Sequence, residues 1–419
     1  MEHLSVTNAQ KCILESVRLL AAEPAGLEQS LGRVLAEDVR ANRDIPPYDV
    51  SAMDGYALRS ADLANIPATL EVIEDIKAGD MPGKTVQAGR CARIMTGAPV
   101  PQGADAVIRV EDTELVSDKK VQINVAVKSG NDIRLQGEGM RNGDVVLTSG
   151  TEITPGVIGV LATVKRAQVQ VYRRPRVAIM STGNELEDMD DPVDPNKIPN
   201  SNSYALMAQV QALGIQPDLL GIARDDPVEL EEYLQRGLRF DVLLVSGGTS
   251  VGVHDYVRPT IEALGVQMKF WRVAMKPGHP VAFGVLQRNS DVASTAFVFG
   301  LPGNPVSSMV CFEQFVAPAL RRMMGHKRLF RRTVVARLTH NVKHQPGRTE
   351  FVRVTLAGED GGYAATSTGA QGSGMLLSMA RADGLLVVPA ESTGLAAGEQ
   401  VTVQLLDGTV FQDDVGFKE

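Results

Sequence analysis

The sequence predicts a multidomain protein of class α/β plus β. Its expected parts are a central doubly wound α/β domain, an inserted mainly-β module, an N-terminal helical or mixed region and a C-terminal small β-barrel. A chain of 419 residues is long enough for about three domains. Apolar runs alternate with helical segments over residues 173–326, which is typical of a parallel sheet covered on both faces. Elsewhere, short alternating runs separated by Gly, Pro and Asp favour β structure.

These changes of pattern predict the domain boundaries. The predicted domains are an N-terminal domain at residues 1–45 with 140–172, an inserted mainly-β domain at 46–139, the α/β domain at 173–326 and the C-terminal β-barrel domain at 327–419.

The N-terminal region is expected to begin with two helices. Thr7 and Gln10 have the spacing of a capping box, and apolar residues from Ala9 to Leu20 recur at helical spacing. A second helix is predicted over Leu27–Ala36. The adjacent prolines at 46 and 47 exclude a continuing helix there.

The α/β block has the clearest periodicity. The predicted strands and helices are, in chain order, Arg176–Met180, Ser203–Leu213, Leu219–Ala223, Pro227–Arg236, Asp241–Val245, Asp255–Leu264, Phe297–Leu301 and Val306–Met323. Within this block, Val266–Met275 and Val281–Val285 flank a Lys-Pro-Gly-His-Pro turn and are predicted as two strands. After residue 327, short alternating runs such as Thr333–Leu338 and Phe351–Leu356 predict the barrel.

Composition excludes several classes of protein. A net charge of −8 and only 5% aromatic residues argue against a nucleic-acid binder. No apolar run reaches the ~18 residues that a membrane span needs, and the N-terminus lacks the pattern of a signal peptide. The 3 cysteines are too scattered for a disulfide framework or a Cys-x-x-Cys metal site. We therefore expect a cytoplasmic protein without a membrane or nucleic-acid partner.

Small and polar residues follow four predicted strands of the α/β block. In an open α/β sheet, ligands bind beyond the carboxyl ends of the strands. The segments concerned are residues 181–185, 225–226, 246–252 and 302–308. Together they predict a binding crevice at one edge of the sheet.

Two of these segments suit an anion. The glycines of Ser246–Gly252 let backbone N–H groups approach a ligand, although the loop lacks the Lys of a P-loop and the spacing of a dinucleotide fingerprint. Asn304 and Pro305 have the order of a helix N-cap and first helical residue, with Ser307 close behind. A tight turn and simple helix capping explain the same residues equally well.

Acidic residues near a phosphate site imply a cation between them. Glu185, Asp225 and Asp255 all follow strands of this block, and Mg²⁺ is commonly held by one or two carboxylates, waters and phosphate oxygens. The alternative is that each acid is a solvated loop charge or a helix N-terminal charge, which fits Asp226 best.

Two basic residues are also candidates for anion binding. Arg272 and Lys276 are four residues apart in a segment predicted to be extended, so their side chains are expected on the same face. Such a face would suit an oxyanion. A pair of ordinary surface charges is the alternative.

Seven segments of the chain form a distinctive set in a fixed order. They are PPYDVSAMDGYA (46–57), RIMTGAP (93–99), STGNEL (181–186), NSNS (200–203), SGGTSVG (246–252), AMKPG (274–278) and GLPGNPVSS (300–308). These segments resemble those of a known family, the molybdopterin molybdenumtransferases, which are bacterial enzymes related to the C-terminal domain of gephyrin. The resemblance extends from about residue 5 to residue 410 and includes a four-domain layout.

The resemblance implies a reaction and its participants. Adenylylated molybdopterin and molybdate are the substrates, Mg²⁺ is the metal, the phosphoanhydride is cleaved, AMP leaves and molybdenum stays on the dithiolene. It also implies a cytoplasmic homodimer with sites shared between subunits, in which the 46–139 module of one chain covers the α/β domain of its partner, and contacts with other molybdenum-cofactor biosynthesis proteins.

The resemblance also assigns roles to residues at matching positions. The implied catalytic acids are Asp54, Glu185, Asp225 and Asp255, of which the last three are implied metal ligands. The implied substrate-binding residues are Thr96, Ser246, Gly247, Gly248, Thr249, Ser250, Gly252, Pro302, Gly303, Asn304, Pro305 and Ser307. The implied molybdate or anion ligands are Arg272, Lys276, Arg348 and Ser373.

The sequence departs from the family at His279, where lysine is common. Three other functions share parts of this pattern: a molybdopterin adenylyltransferase, a nucleotide amidohydrolase that shares the α/β domain, and a non-catalytic, gephyrin-like scaffold. The amidohydrolase lacks the other motifs. The adenylyltransferase needs neither the 46–139 module nor the C-terminal barrel. A scaffold needs no metal-binding acids, and here the acids are present.

Overall fold

The computed structural model describes residues 4–248, 256–288, 295–359 and 361–406. They form two compact units. The first unit contains residues 1–25, 32–36 and 170–419, and the second contains residues 26–31 and 37–169.

Helices are short and strands are numerous. The helices are α1 (Val6–Ser16), α2 (Leu27–Ser30), α3 (Pro155–Thr163), α4 (Ser201–Gln211), α5 (Pro227–Gly237), α6 (Val257–Ala263), α7 (Pro305–Cys311), α8 (Ala317–Met323) and α9 (Leu376–Ala380). The strands are β1 (Ala22–Gly26), β2 (Val39–Arg40), β3 (Val50–Ser51), β4 (Gly55–Leu58), β5 (Ala68–Ile76), β6 (Arg90–Ile94), β7 (Ala106–Arg109), β8 (Thr113–Ser117), β9 (Lys120–Ile123), β10 (Ile133–Arg134), β11 (Val145–Leu147), β12 (Gln168–Tyr172), β13 (Val177–Thr182), β14 (Leu186–Glu187), β15 (Ile198–Pro199), β16 (Asp218–Ala223), β17 (Val242–Ser246), β18 (Gln267–Phe270), β19 (Met275–Lys276), β20 (Ala282–Gln287), β21 (Thr295–Leu301), β22 (Thr333–Leu338), β23 (Val342–Lys343), β24 (Thr349–Glu359), β25 (Gly362–Ser367), β26 (Gly384–Val388), β27 (Gly394–Leu395) and β28 (Gln400–Leu405).

The first two helices differ from their predictions. Ser5 caps α1 by accepting a hydrogen bond from the Asn8 N–H at 3.2 Å, so Thr7 lies inside the helix and the predicted capping box is wrong. The second helix is a single turn, α2, and not the predicted ten residues. Gly32 follows it with a φ of +74°, a conformation that turns the chain away from a helix.

The predicted mainly-β module is confirmed in the second unit. Six strands form one sheet in the order β7-β4-β6-β5-β9-β8, mostly antiparallel. Successive residues of β4 face opposite sides, so that Tyr56 and Leu58 pack in one apolar cluster and Ala57 packs in another. The middle of this sheet is therefore buried on both faces.

The central α/β domain is doubly wound, as predicted. Its strand order is β16-β13-β17-β21-β20-β18, with the first four parallel and the last two antiparallel to their neighbours. Along β13, Val177 and Ile179 pack in a cluster with α1, α4, α7 and α8, whereas Ala178 and Met180 pack with α5 and α6. Alternating apolar residues thus bury both faces of the parallel strands.

The predicted continuous helix over Val306–Met323 is interrupted. A π-helical turn at Phe312–Val316 separates α7 from α8 and places two polar side chains in the interior. The Glu313 carboxylate accepts hydrogen bonds from Arg331 and Gln209, both at 2.8 Å. The Gln314 amide donates to Gln404 at 2.5 Å. Each buried polar group therefore has a partner, which removes most of the cost of its burial.

The C-terminal strands form the predicted small barrel. Five strands pair in the order β24-β25-β22-β28-β26, and β26 pairs back to β24, which closes the ring. The strand predicted over Val266–Met275 is broken: β18 ends at Phe270, Val273 bridges to Leu4, and β19 joins the edge of β24 in parallel. A loop of the α/β domain is thereby attached to the barrel.

Gly325 provides a test of the packing after α8. Its φ is +83°, and a Cβ there would lie 2.7 Å from Tyr172 Cε2. We expect Gly325→Ala to destabilise the first unit by about 2 kcal/mol or more, because backbone strain adds to a steric clash. Gly398→Ala is the matched control, since Gly398 has a φ of +91° and nothing within 4 Å of its Cβ position. Differential scanning calorimetry should show the larger drop in melting temperature for Gly325→Ala; equal drops would contradict the packing argument.

Candidate functional site

Four strand ends meet at one edge of the central sheet. The register pairs Ser181 with Ser246, Ser246 with Leu301, and Thr182 with Ala223. The segments that follow these strands are therefore neighbours, as the sequence predicted.

An asparagine that the sequence did not assign to the site links two of these strand ends. The Asn202 side-chain amide donates to Ser246 Oγ at 2.8 Å and to the Gly303 carbonyl at 2.7 Å. Asn200 caps α4 and accepts a hydrogen bond from Ser181 Oγ at 2.8 Å. The NSNS segment was visible in the sequence, but its role follows only from these contacts.

The two described glycines of the loop after β17 are required by close packing. Gly247 has a φ of +95°, and a Cβ there would lie 2.7 Å from the Thr182 carbonyl oxygen. Gly248 has a φ of +61°, and a Cβ there would overlap Val257. Both thus serve as tight turns between strand ends. Thr249, Ser250, Val251, Gly252 and Asp255 lie outside the described residues.

The first turn of α7 begins where the sequence predicted, but one of its backbone N–H groups already has a hydrogen-bond partner. Asn304 occupies the N-cap position without a capping hydrogen bond from its side chain, and Pro305 is the first helical residue. The Val306 N–H donates to the Ser373 carbonyl at 3.1 Å. Ser373 therefore lies against this helix start through its backbone, with Ser307 buried behind it.

Two predicted acids lie on adjacent loops at the same edge. The Asn184 N–H donates to Asp225 at 3.3 Å, and the Asp225 N–H donates to the Asn184 side chain at 3.2 Å. Glu185 folds its carboxylate over Gly183, and both predicted acids are exposed. Asp226 instead caps α5, because its carboxylate accepts from the Val228 and Glu229 N–H groups at 3.0 Å each.

The donor set is suited to magnesium. No group of three His, Cys, Asp or Glu residues able to hold a metal occurs in the part of the chain that the structure describes, which omits Asp255. Glu185 and Asp225 supply two carboxylates from neighbouring loops. Mg²⁺ usually takes one or two carboxylates and completes its shell with waters and phosphate oxygens. The residues present therefore fit this ion.

In the second unit, Asp54 and Thr96 are brought together. The Thr96 N–H and Oγ1 both donate to Asp54 Oδ1 at 2.7 Å. The backbone N–H first, and then the hydroxyl, lower the pKa of Asp54 below its usual value. The pair lines an open depression of about 480 Å³ together with Arg109 and Glu111. Asp54 is thus an exposed, firmly ionised carboxylate.

The predicted anion-binding cations come from two parts of the first unit. The parallel register of β19 and β24 pairs Lys276 with Glu350, and the Thr349 N–H donates to the Ala274 carbonyl at 3.0 Å. Arg348 immediately precedes this pairing and is exposed. Lys276 Nζ lies 2.8 Å from Glu350 Oε1.

Arg272 and Lys276 do not share one extended strand. The chain bends at Trp271 and Ala274, so the expectation of a common face from their spacing alone is wrong. Arg272 is exposed in this irregular segment.

His279 forms hydrogen bonds with the backbone of the segment that contains Arg272 and Lys276. Its Nδ1–H donates to the Val273 carbonyl at 2.8 Å, and its own carbonyl accepts from the Val273 and Val281 N–H groups at 3.1 and 3.0 Å. The imidazole therefore closes the loop that carries Lys276.

Three family models match consecutive parts of the chain. They are the MoeA N-terminal region (domain I and II) at residues 4–164, a probable molybdopterin binding domain at 178–322 and the MoeA C-terminal region (domain IV) at 335–406. A molybdopterin molybdenumtransferase from Nostoc is 37% identical over 379 residues, 89% of this chain and 86% of the relative. One from Staphylococcus epidermidis is 34% identical and covers 98% of both chains. The chain belongs to this family.

A solved structure supports the same relationship. The crystal structure of the molybdopterin biosynthesis moeA protein from Pyrococcus horikoshii is 30% identical, covers 96% of this chain and 100% of its own, and superposes with a TM-score of 0.82. The resemblance, the multidomain fold class and the assignment to a transferase family of molybdenum cofactor biosynthesis are confirmed. No helix among the described residues is both long and apolar enough to cross a membrane.

The hydrogen bonds to Asp54 predict a pH effect. We expect Thr96→Val to raise the pKa of Asp54 toward its ordinary value but not reach it, because the residue 96 N–H still donates. Stability linked to this carboxylate is present above the unfolded-state pKa and is lost as pH falls through the lower folded-state pKa. Thr96→Val should therefore be less stable than the wild type above the unfolded-state pKa, and this difference should disappear as the pH falls below both values.

Carboxyl ¹³C NMR titration would measure the Asp54 midpoint in both proteins. Thr69→Val, at an exposed position of β5 in the same unit, is the control and should leave the midpoint unchanged. An unchanged midpoint in Thr96→Val would show that the Thr96 hydroxyl does not lower the pKa of Asp54.

Proposed function

We propose that this chain inserts molybdate into adenylylated molybdopterin, with Mg²⁺-dependent cleavage of the phosphoanhydride and release of AMP. The observation that carries the proposal is the convergence of four strand-end loops at one sheet edge, in a chain that matches relatives of this family over nearly its full length. Acid loops, glycine turns and a helix start all lie at that edge.

The chemistry requires positioning and neutralisation of charge more than a nucleophilic side chain. A phosphoanhydride joins two negatively charged phosphoryl groups, so its cleavage is favoured by groups that hold it and offset that charge. Glu185 and Asp225 would hold Mg²⁺, and Asp255 is a third proposed ligand. When bound, this ion offsets negative charge on phosphoryl oxygens.

The other proposed residues bind and orient the substrates. Gly247 and Gly248, which lack side chains, would let the substrate approach the backbone at the edge where Asn202 fixes the neighbouring loops. The substrate-binding roles of Thr96, Ser246, Thr249, Ser250, Gly252 and Pro302–Ser307 are part of the same proposal. Arg272, Lys276, Arg348 and Ser373 are the proposed contacts for the molybdate oxyanion.

The adenylyltransferase and scaffold functions are less well supported than this reaction. The family models at residues 4–164 and 335–406 cover regions that an adenylyltransferase does not need. A scaffold would have no need of exposed carboxylates at the sheet edge, which Glu185 and Asp225 provide.

The decisive experiment measures AMP release from adenylylated molybdopterin with molybdate and Mg²⁺. We expect release to require both, and Asp225→Asn to lower kcat by about 100-fold, because a lost metal ligand removes charge neutralisation in the transition state. Asp226→Asn is the matched control and should keep turnover, since asparagine caps a helix as well as aspartate does. An equal rate of AMP release with and without molybdate would exclude the proposed reaction.

We further propose a cytoplasmic homodimer with sites shared between subunits. Asp54 belongs to the second unit, whereas Glu185 and Asp225 belong to the first. In a two-fold symmetric dimer, each site would combine Asp54 of one chain with the acids of its partner. Contacts with other proteins of molybdenum cofactor biosynthesis are part of the same proposal.

Mixing two inactive variants tests the shared site. In a heterodimer of Asp54→Ala and Asp225→Ala, one site would collect both defects and the other would be wild type. Random pairing makes about half of the dimers mixed, so subunit exchange should restore up to about a quarter of wild-type AMP release. If each chain completes its own site, every site keeps one defect and mixing restores nothing. Wild-type dimers exchanged with each other control for losses during mixing.

A further inference from the structure

Lys276 is the exposed end of a chain of three side chains. Its Nζ lies 2.8 Å from Glu350 Oε1, and His344 Nδ1 lies 2.8 Å from the other oxygen, Glu350 Oε2. The Lys276 side chain is 57% exposed, whereas those of Glu350 and His344 are 7% and 2% exposed. The exposed ammonium therefore pairs with a buried carboxylate, and the other oxygen of this carboxylate pairs with a buried imidazole.

The hydrogen-bonding pattern defines the form of His344. A carboxylate only accepts hydrogen bonds, so the imidazole donates from Nδ1. His344 Nε2 is buried and has no partner among the residues that the structure describes. A proton there would be a buried, unsatisfied donor, so the neutral Nδ1–H tautomer fits the site.

This arrangement is not explained by stability alone. Burying a carboxylate is costly, and apolar residues commonly replace a buried ion pair without loss of stability. Here the buried partner is paired with an ammonium that reaches solvent, and the exposed Arg348 immediately precedes the strand that carries the carboxylate. The position of the trio, at the junction of β19 and β24, is that of the proposed oxyanion contacts.

We propose that Glu350 and His344 are positioning residues that orient the Lys276 ammonium for a tetrahedral oxyanion; this rests on the proposed function. An ammonium has three donor hydrogens, so the bond to Glu350 leaves two for the ligand. Without Glu350, the flexible lysine side chain would lose more conformational freedom when it binds the anion. His344 keeps the carboxylate in place without changing the charge of the site.

The test uses variants that keep the charges unchanged. Glu350→Asp retains the carboxylate but shortens its reach, and His344→Leu removes only the neutral donor. We expect each to raise the Kd for molybdate, measured by calorimetry, and the molybdate KM by about five- to tenfold. The KM for adenylylated molybdopterin should stay within about twofold, since the affected group contacts only the oxyanion.

Two histidine variants serve as controls. His344→Asn should restore near wild-type molybdate binding, because its amide can donate from about the position of Nδ1. His340→Leu removes a histidine that contacts Thr339 and not Glu350, and it should leave molybdate binding unchanged. If thermal melting shows that Glu350→Asp does not fold, His344→Leu and His344→Asn are sufficient to test the proposal.

A double-mutant cycle distinguishes positioning from a general structural effect. If Glu350 acts through Lys276, Lys276→Ala combined with Glu350→Asp should bind molybdate no more weakly than Lys276→Ala alone. Additive losses, equal increases in KM for both substrates, or unchanged molybdate binding in both single variants would overturn the proposal. Failure of the proposed function is distinct, since the wild-type protein would then bind molybdate without releasing AMP.

Discussion

The candidate oxyanion site depends on one short parallel pairing, between Met275–Lys276 and the first two residues of β24. It attaches an irregular loop of the α/β domain to the edge of a closed barrel. The carboxylate of Glu350, buried at this junction, then meets the ammonium of Lys276. A buried carboxylate without a partner would be strongly unfavourable, so the pairing of the strands and the pairing of the charges support each other.

Close packing of backbone shapes the other part of the candidate site. Gly247 and Gly248 adopt positive φ angles where a side chain would strike Thr182 or Val257. Asn202 then joins Ser246 to the Gly303 carbonyl, so the loops after two parallel strands are held by one buried amide. The loops that carry Asn184 and Asp225 bond to each other in the same way. These hydrogen bonds fix the described polar groups at this edge relative to one another, which lowers the entropic cost of binding a ligand.

Two neighbouring acids show that residues of the same type have different roles when their hydrogen-bond partners differ. Asp225 and Asp226 are adjacent and both exposed, yet Asp226 is committed to the N-terminus of α5, whereas Asp225 faces the loop after β13. Likewise, the His279 ring closes a backbone loop, and the His344 ring supports a carboxylate. Residue type therefore indicates the chemistry that is available, and the contacts decide its use.

The sequence by itself determined the fold class, the alternation that builds the doubly wound sheet, the family, and the strand-end segments that share one edge. These follow from local periodicity and from the rule that parallel strands end together. Only the tertiary structure decided that Ser5 and not Thr7 caps α1, that a π turn interrupts the long helix, and that Arg272 and Lys276 lie in a bent segment. It also decided that Glu350 and His344 lie beneath Lys276. The physical reason is that these features depend on which distant groups satisfy a buried charge or backbone donor, and spacing along the chain carries no information about such partners.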